Sequence, residues 1–280
     1  MITSVEKIIE KYSVLLLDAY GVIVDQTSAL PGAKEFISRL NRLQKPYFIV
    51  TNDSSKQPQT LKDKYKNVEL DIPSERIITS GSLIKRYFKD HNLSGSRCLF
   101  LGSDDARGYV EECGGNIVPL QSKDTIVDVA IICDGGNYSV IDTLDLLLSV
   151  LFHHFDCGKS LHLVLANPDF IYPKTQGYFG ITSGSLALIL ENALKLRYPK
   201  ENITFARLGK PHRYIFEEAF ARCGTKDAVM VGDQLVTDIK GAVDFGIDSV
   251  LIGTGVTNLN QEFDFLDYKP TYILHNLKTE

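Results

Sequence analysis

The sequence predicts an α/β protein: a buried parallel sheet with a second, smaller α/β unit inserted into it. Three observations carry this expectation. Apolar runs without alternation, such as Val14-Leu15-Leu16-Leu17 and Tyr47-Phe48-Ile49-Val50, suit strands covered on both faces. Helical patterns lie between such runs, and a strand-helix-strand unit forces its two strands parallel. After Ser94-Gly95-Ser96 the strand and helix rhythm starts afresh, which divides the chain into 1–91, an insertion at 92–205, and 206–280.

Taken in order, Ser4 to Tyr12 reads as a short amphipathic helix with Val5, Ile8 and Ile9 on one side. The first strand, Val14 to Leu17, delivers Asp18 to the carboxyl edge of the sheet, where ligands bind in open α/β folds. Gly21 marks a sharp turn, and Gly21 to Leu30 suits a small hairpin over the strand end. Pro31-Gly32 opens a helix, Ala33 to Leu43, with Phe36, Ile37 and Leu40 inward. The second strand runs into Thr51-Asn52-Asp53-Ser54-Ser55. A helix at Gln59 to Lys66, a strand at Ile77-Ile78 and a helix at Ser82 to Lys89 complete the first part.

The insertion has strands at Cys98 to Leu101, Val127 to Cys133 and Leu161 to Ala166. The first ends in a Gly-Ser-Asp-Asp loop, and a helix at Val140 to Phe155 joins the other two. A helix at Ser185 to Leu196 leads to Ile203 to Phe205. The last part offers a helix at His212 to Cys223 and a strand at Ala228 to Val231. A helix at Asp238 to Phe245 and strands at Ser249 to Ile252 and Tyr272 to Leu274 follow.

With 280 residues, 44% of them apolar, the chain can bury a sizeable core. A net charge of −5 without basic runs argues against a general nucleic-acid or membrane-surface binder. No apolar stretch approaches bilayer length, and Met1 to Lys11 lacks the apolar region of a signal peptide. Five scattered cysteines without C-x-x-C spacing read as reduced thiols, so the expected location is cytoplasmic.

Four polar clusters follow strands or loops: Asp18, Thr51-Asn52, Lys210, and Asp233 with Asp238. Each alone has an ordinary reading as a turn, a helix cap or a solvated charge. Together, in this order, they suit phosphoryl transfer. A carboxylate can attack phosphorus, and Mg²⁺ takes oxygen ligands from one or two carboxylates plus the substrate phosphate. A Thr hydroxyl and a Lys ammonium can hold the remaining phosphoryl oxygens.

Six pieces carry a resemblance to a known family. They are Leu17-Asp18-Ala19-Tyr20-Gly21-Val22, Val50 through Thr51-Asn52-Asp53 to Lys56, Ala166-Asn167-Pro168-Asp169, Gly184-Ser185-Leu186, Gly209-Lys210-Pro211, and Gly232-Asp233 through Thr237-Asp238-Ile239 to Gly241-Ala242. In order and spacing they resemble the haloacid dehalogenase (HAD) superfamily, and within it the class IIA, NagD-like phosphatases. The resemblance covers nearly the whole chain. It implies a Rossmann-like HAD core with a C2-type cap inserted between the Thr51 and Lys210 motifs. It also implies a Mg²⁺-dependent phosphatase of small phosphorylated metabolites. Asp18 would be the nucleophile and a Mg²⁺ ligand, with the Tyr20 backbone carbonyl a second ligand. Thr51, Asn52 and Asp53 would bind the phosphoryl group, and Lys210 would neutralise Asp18 and phosphate. Asp233 would ligate Mg²⁺, and Asp238 would act through water or as an orienting residue. A homodimer built through the caps is implied as well; no residue pattern of its own points to one.

The match breaks at Tyr20. The family usually has an aspartate there, which protonates the leaving group and then activates water. A Tyr hydroxyl, with its pKa near 10, is a poor acid-base catalyst at neutral pH. Such catalysis typically supplies ~10²–10⁴ in rate, so slow hydrolysis of alkyl phosphates is expected unless another group substitutes. Two alternatives follow. One is a catalytically silent phosphate-binding or interaction protein on the same scaffold. The other is a 2-haloacid dehalogenase, whose first motif Asp-Ala-Tyr-Gly also resembles. Only 32 residues (19–50) separate Asp18 from Thr51, which leaves no room for the cap those enzymes place there.

In the insertion, Asp134-Gly135-Gly136-Asn137-Tyr138 is the best candidate for a loop facing the site. Asp169 reads as structural. His153 and His154 point in different directions on a helix and read as core or surface residues.

Overall fold

The computed structural model describes residues 1–174, 178–259 and 267–278. Its first sheet is wholly parallel and six-stranded. The strands are β1 (Val14–Leu17), β2 (Tyr47–Thr51), β3 (Ile77–Thr79), β11 (Ala228–Gly232), β12 (Asp248–Ile252) and β13 (Tyr272–Leu274). Their order is β13-β12-β11-β1-β2-β3. From β1 the chain builds outward through β2 and β3, then returns on the other side with β11. The order therefore reverses at the β1–β11 pair. Crevices at such reversals, beyond the carboxyl ends of the strands, are where open α/β sheets bind ligands.

The second sheet is also parallel, with the order β10-β7-β6-β4-β5. Its strands are β4 (Arg97–Leu101), β5 (Asn116–Ile117), β6 (Val129–Ile132), β7 (His162–Leu165) and β10 (Ala206–Arg207). A two-stranded antiparallel ribbon, β8 (Ile171–Pro173) and β9 (Phe179–Ile181), stands apart from it.

Period-two alternation explains how both sheets are covered twice. Leu15 and Leu17 of β1 face a cluster with α1 (Val5–Lys11), α2 (Ala33–Arg42) and α3 (Pro58–Asn67). Val14 and Leu16 face a second cluster with α4 (Ile84–His91), α5 (Asp104–Glu112) and α8 (Arg213–Cys223). Cys98 of β4 with Val129 and Ile131 of β6 enter that same second cluster. The far face of the second sheet, including Leu99 and Ile132, packs under α6 (Val140–Asp156) and α7 (Ser183–Arg197). The two sheets thus share one apolar filling between them.

Three expectations change. The edge strand of the second sheet is Ala206–Arg207, so that sheet runs past the boundary expected at residue 205. The Gly-Ser-Asp-Asp segment is a helix start rather than a loop: the Ser103 hydroxyl accepts from Ala106 N at 3.1 Å, and Asp104 and Asp105 sit in the positive first turn. Gly21 to Leu30 forms a turn with isolated bridges Tyr20–Val24 and Val24–Ala29, not a regular hairpin. His154 is buried, with its ring on the backbone of Val127 and Val150, in keeping with a core role.

Candidate active site

Loops from both sheets meet at the carboxyl edge of β1. Asp18 follows β1, Thr51 closes β2, Asp233 follows β11 and Lys210 follows β10. Asp18, Tyr20, Thr51, Asn52, Asp53 and Lys210 line one cavity of about 560 Å³. Asp233 and Asp238 are buried next to Asp18. Asp238 lies in a π-helical turn, Leu235–Ile239, ahead of α9 (Lys240–Phe245).

Two glycines let these acids crowd together. Gly21 has φ +80°, and a Cβ there would come 2.5 Å from Asp233 Oδ2. A Cβ on Gly232 would overlap the Asp238 side chain. Both positions need the missing side chain, and Gly21 also needs the left-handed backbone.

The charges decide what the cluster can do. Lys210 Nζ lies 2.7 Å from Asp18 Oδ1 and 2.7 Å from Asp238 Oδ1, and its side chain is only 2% exposed. Carboxylate oxygens of Asp18, Asp233 and Asp238 all lie within 4.8 Å of one another. One buried cation therefore faces three buried acids. Burial pushes the Asp18 carboxyl up to about 6; Lys210 opposes that rise and Asp238 adds to it. Burial, then Asp238 and Asp18, hold Asp233 well above the usual carboxylate range. For Lys210, burial alone would lower the ammonium's pKa. The charges of Asp18 and Asp238 outweigh it and raise it.

The cluster fits a divalent cation. Asp233 Oδ2 accepts from Val256 N at 2.6 Å, but Asp233 Oδ1 is buried without a hydrogen-bond partner among the described residues. A buried, orphaned carboxylate oxygen costs free energy unless something positive meets it. Asp238 is already satisfied, by Lys210 through Oδ1 and by Gln234 N through Oδ2 at 3.1 Å. Three carboxylates and no nitrogen or sulfur ligand make a hard-oxygen donor set.

The remaining residues divide into those that face the cavity freely and those held elsewhere. The Asn52 side chain donates to Lys210 O and to Asp169 Oδ1, both at 2.9 Å, and accepts from Lys210 N at 2.7 Å. It fixes the Lys210 loop, so only its backbone is left to meet a phosphoryl oxygen. Asp53 was expected to bind phosphate. Its Oδ1 instead closes a turn, accepting from Ser55 N at 2.8 Å and Ser55 Oγ at 2.7 Å, and its charge would repel a phosphate. Thr51 Oγ1 accepts from Asp53 N at 3.2 Å, which holds the same loop. The Tyr20 hydroxyl accepts from Lys64 Nζ at 2.5 Å, and the Lys64 ammonium sits 4.8 Å from the Tyr20 ring centre. Burial raises the pKa of that hydroxyl, so Tyr20 is a still poorer acid than its residue type suggests.

Residues that follow strands of the second sheet form the facing wall of the cavity. Asp134, Gly135, Gly136 and Tyr138 line it, as expected for this loop. Asp134 also ties the two units together. Its Oδ2 accepts from Ser54 N, Ser54 Oγ and Asn167 Nδ2, and its Oδ1 accepts from Ser183 N and Ser183 Oγ. Asp134→Ala would leave these buried donors unmet at the junction. We expect a loss of about 3 kcal/mol or more in urea unfolding, at the upper end for one buried polar group. Asp134→Asn should lose less, since one oxygen still accepts.

Sequence reasoning missed Lys64 and set Asp169 aside as structural, yet both line the cavity. Lys64 had a weak signal: it lies three residues after buried Leu61 on α3, hence on the inward side. The wall formed by Ile171, Tyr172 and Ile181 comes from the β8–β9 ribbon, which had no distinctive pattern.

A family model described as haloacid dehalogenase-like hydrolase matches residues 15–116, and a HAD-hydrolase-like model matches 207–279. The chain belongs to the haloacid dehalogenase superfamily. Within the superfamily it is a NagD-like, class IIA member, similar along nearly its whole length to proteins of that size. It is 27% identical over 271 residues to an acid sugar phosphatase of Staphylococcus haemolyticus, covering 96% of this chain and 95% of the other. It is 24% identical over 273 residues to a 5'-nucleotidase of Bacillus subtilis, covering 95% and 96%. Among solved structures, a possible sugar phosphatase of Cytophaga hutchinsonii superposes with a TM-score of 0.86 at 27% identity, covering 100% and 99%. The HAD family's haloacid-displacing chemistry needs no metal, whereas the three-acid cluster of this member fits one.

Proposed function

We propose that this protein is a Mg²⁺-dependent phosphatase of small phosphorylated metabolites, acting through an aspartyl-phosphate on Asp18. One observation carries the reading: Lys210 joins Asp18 to Asp238 beside an orphaned Asp233 oxygen, where Asp18 and Lys210 line the cavity. The names of the relatives, an acid sugar phosphatase, a 5'-nucleotidase and a possible sugar phosphatase, support it.

Asp18 Oδ attacks phosphorus, with Lys210 holding the carboxylate in place and offsetting charge on the phosphoryl oxygens. Thr51 and the Asn52 backbone orient that group. Asp18, Asp233 and the Tyr20 carbonyl would hold Mg²⁺, with Asp238 orienting. The ion would supply Lewis-acid neutralisation of the phosphoryl charge. We read residues 92–207 as the C2-type cap. Its wall of Tyr138, Val140, Ile171, Tyr172, Ile181 and Leu186 suits a leaving group with an apolar face. Exposed apolar side chains on the cap, Ile141 and Ile189 among them, suit a homodimer. Unpaired thiols suit the cytoplasm, and no helix among the described residues is long and apolar enough to cross a membrane.

The test is hydrolysis of p-nitrophenyl phosphate with and without Mg²⁺. Its good leaving group makes the absence of an acid at position 20 matter little. Turnover that requires Mg²⁺ is the expected result. A folded protein that binds Mg²⁺ and turns over no phosphate ester would instead be the silent scaffold.

A further inference from the structure

We infer that Asp169 is the acid-base group that position 20 lacks: its carboxyl, presented by the inserted unit, serves the leaving oxygen and then the attacking water. The inference rests on the phosphatase reading and deepens it.

Asp169 borders the same cavity as Asp18, Thr51 and Lys210. Its backbone is pinned. The amide donates to Asn167 Oδ1 at 2.8 Å, and the carbonyl accepts from Gly184 N at 3.1 Å and from the Thr182 hydroxyl. On the carboxyl, Oδ1 is held by Asn52 Nδ2 at 2.9 Å. Oδ2 has no hydrogen-bond partner among the described residues. The group is therefore fixed at one oxygen and free at the other, the arrangement a proton-transfer group needs.

Of the nearer polar groups around the cavity, two are fully engaged and Asp53 is held at one oxygen by its own turn. Tyr20 is held by Lys64, Asp53 closes its turn, and Asp134 accepts five hydrogen bonds. Asp169 is faced by Asn52 from the β2 loop, Lys210 from the β10 loop, Asp18 from the β1 loop and Asp238 from the π-helical turn. Burial pushes its carboxyl up to about 7. The Asn52 hydrogen bond and Lys210 oppose the rise, and Asp18 and Asp238 add to it. Both protonation states are then accessible at neutral pH.

The steps balance. As Asp18 Oδ bonds to phosphorus, the phosphorus–ester oxygen bond breaks and that oxygen takes the Asp169 proton, leaving as the free alcohol. Asp169, now a carboxylate, takes a proton from water as the water oxygen bonds to phosphorus. The phosphorus–Asp18 bond then breaks. Inorganic phosphate departs, Asp18 is again a carboxylate and Asp169 is again protonated.

The test compares p-nitrophenyl phosphate with phenyl phosphate, which have similar shapes but good and poor leaving groups. Asp169→Asn keeps an oxygen for Asn52. It should lower kcat/KM for phenyl phosphate about 10²-fold and for p-nitrophenyl phosphate less than about tenfold. It should also show a p-nitrophenol burst followed by slowed turnover, because water attack loses its base. Equal losses on both substrates, or no loss, overturn the inference, since disturbing Asn52 and Lys210 would affect both alike. The wild type gives a second readout independent of the variant's folding. Between pH 6 and 8.5, as Asp169 ionises, its preference for p-nitrophenyl over phenyl phosphate should widen about tenfold or more. A constant preference overturns the inference and leaves the phosphatase reading standing. A wild type that hydrolyses neither ester overturns both.

Discussion

Asp18→Asn is expected to lose at least about 10³-fold of the Mg²⁺-dependent turnover of p-nitrophenyl phosphate, with the fold intact. The amide is nearly the same size as the carboxylate but cannot form an acyl phosphate. Lys210 keeps Asp238 as a partner at 2.7 Å, so no buried ammonium is stranded. Because burial already disfavours the ionised Asp18, the exchange also relieves one charge among three crowded acids. The unfolding midpoint should therefore stay within roughly 5 °C of the wild type. Steady-state assays together with thermal unfolding separate the two effects. A folded variant with activity near the wild type would rule out Asp18 as the nucleophile.

Lys210→Met is expected to destabilise the fold by about 3–5 kcal/mol at pH 7.5. It removes the cation that Asp18 and Asp238 share and leaves three acids repelling one another in the interior. The deficit should depend on pH in a definite sense. A carboxyl whose folded pKa is raised adds stability below its unfolded value, near 4, and loses that contribution as pH rises through the folded value. Asp18 is already at about 6 with Lys210 present, and it can only rise further without it. The variant should thus approach the wild type near pH 4.5 and fall away by pH 7.5, as read by urea unfolding at the two values. An equal deficit at both would mean that Lys210 stabilises through packing of its stem rather than through its charge.

Much of the site was legible because its residues sit at strand ends, where short apolar runs fix the geometry. Val14 to Leu17 could only be a doubly buried strand, so Asp18 had to emerge at the ligand edge. The same logic applied to Thr51 and Asp233. Side-chain direction was not legible. Nothing in Asn52-Asp53 shows that one side chain holds the Lys210 loop and the other closes a turn, because both depend on partners 158 and two residues away. Asp169 went unread for a related reason. Its motif lies in the insertion, and only the folded chain brings that segment against Asn52. Ala206–Arg207 escaped because a two-residue edge strand has no period to detect.

The apolar filling shared by the two sheets bears on how such a chain could have been assembled. The face of the second sheet that carries Cys98, Val129 and Ile131 shares one cluster with α5, which lies within 92–205, and with α4 and α8, which belong to the surrounding part. A genetic exchange cut at the ends of the insertion would carry that face into a host whose helices had never been shaped for it. Recombination among relatives would therefore succeed mainly when α4 and α8 travel with the insertion. The unit that evolves new substrate preference in this protein is then larger than the unit that touches substrate.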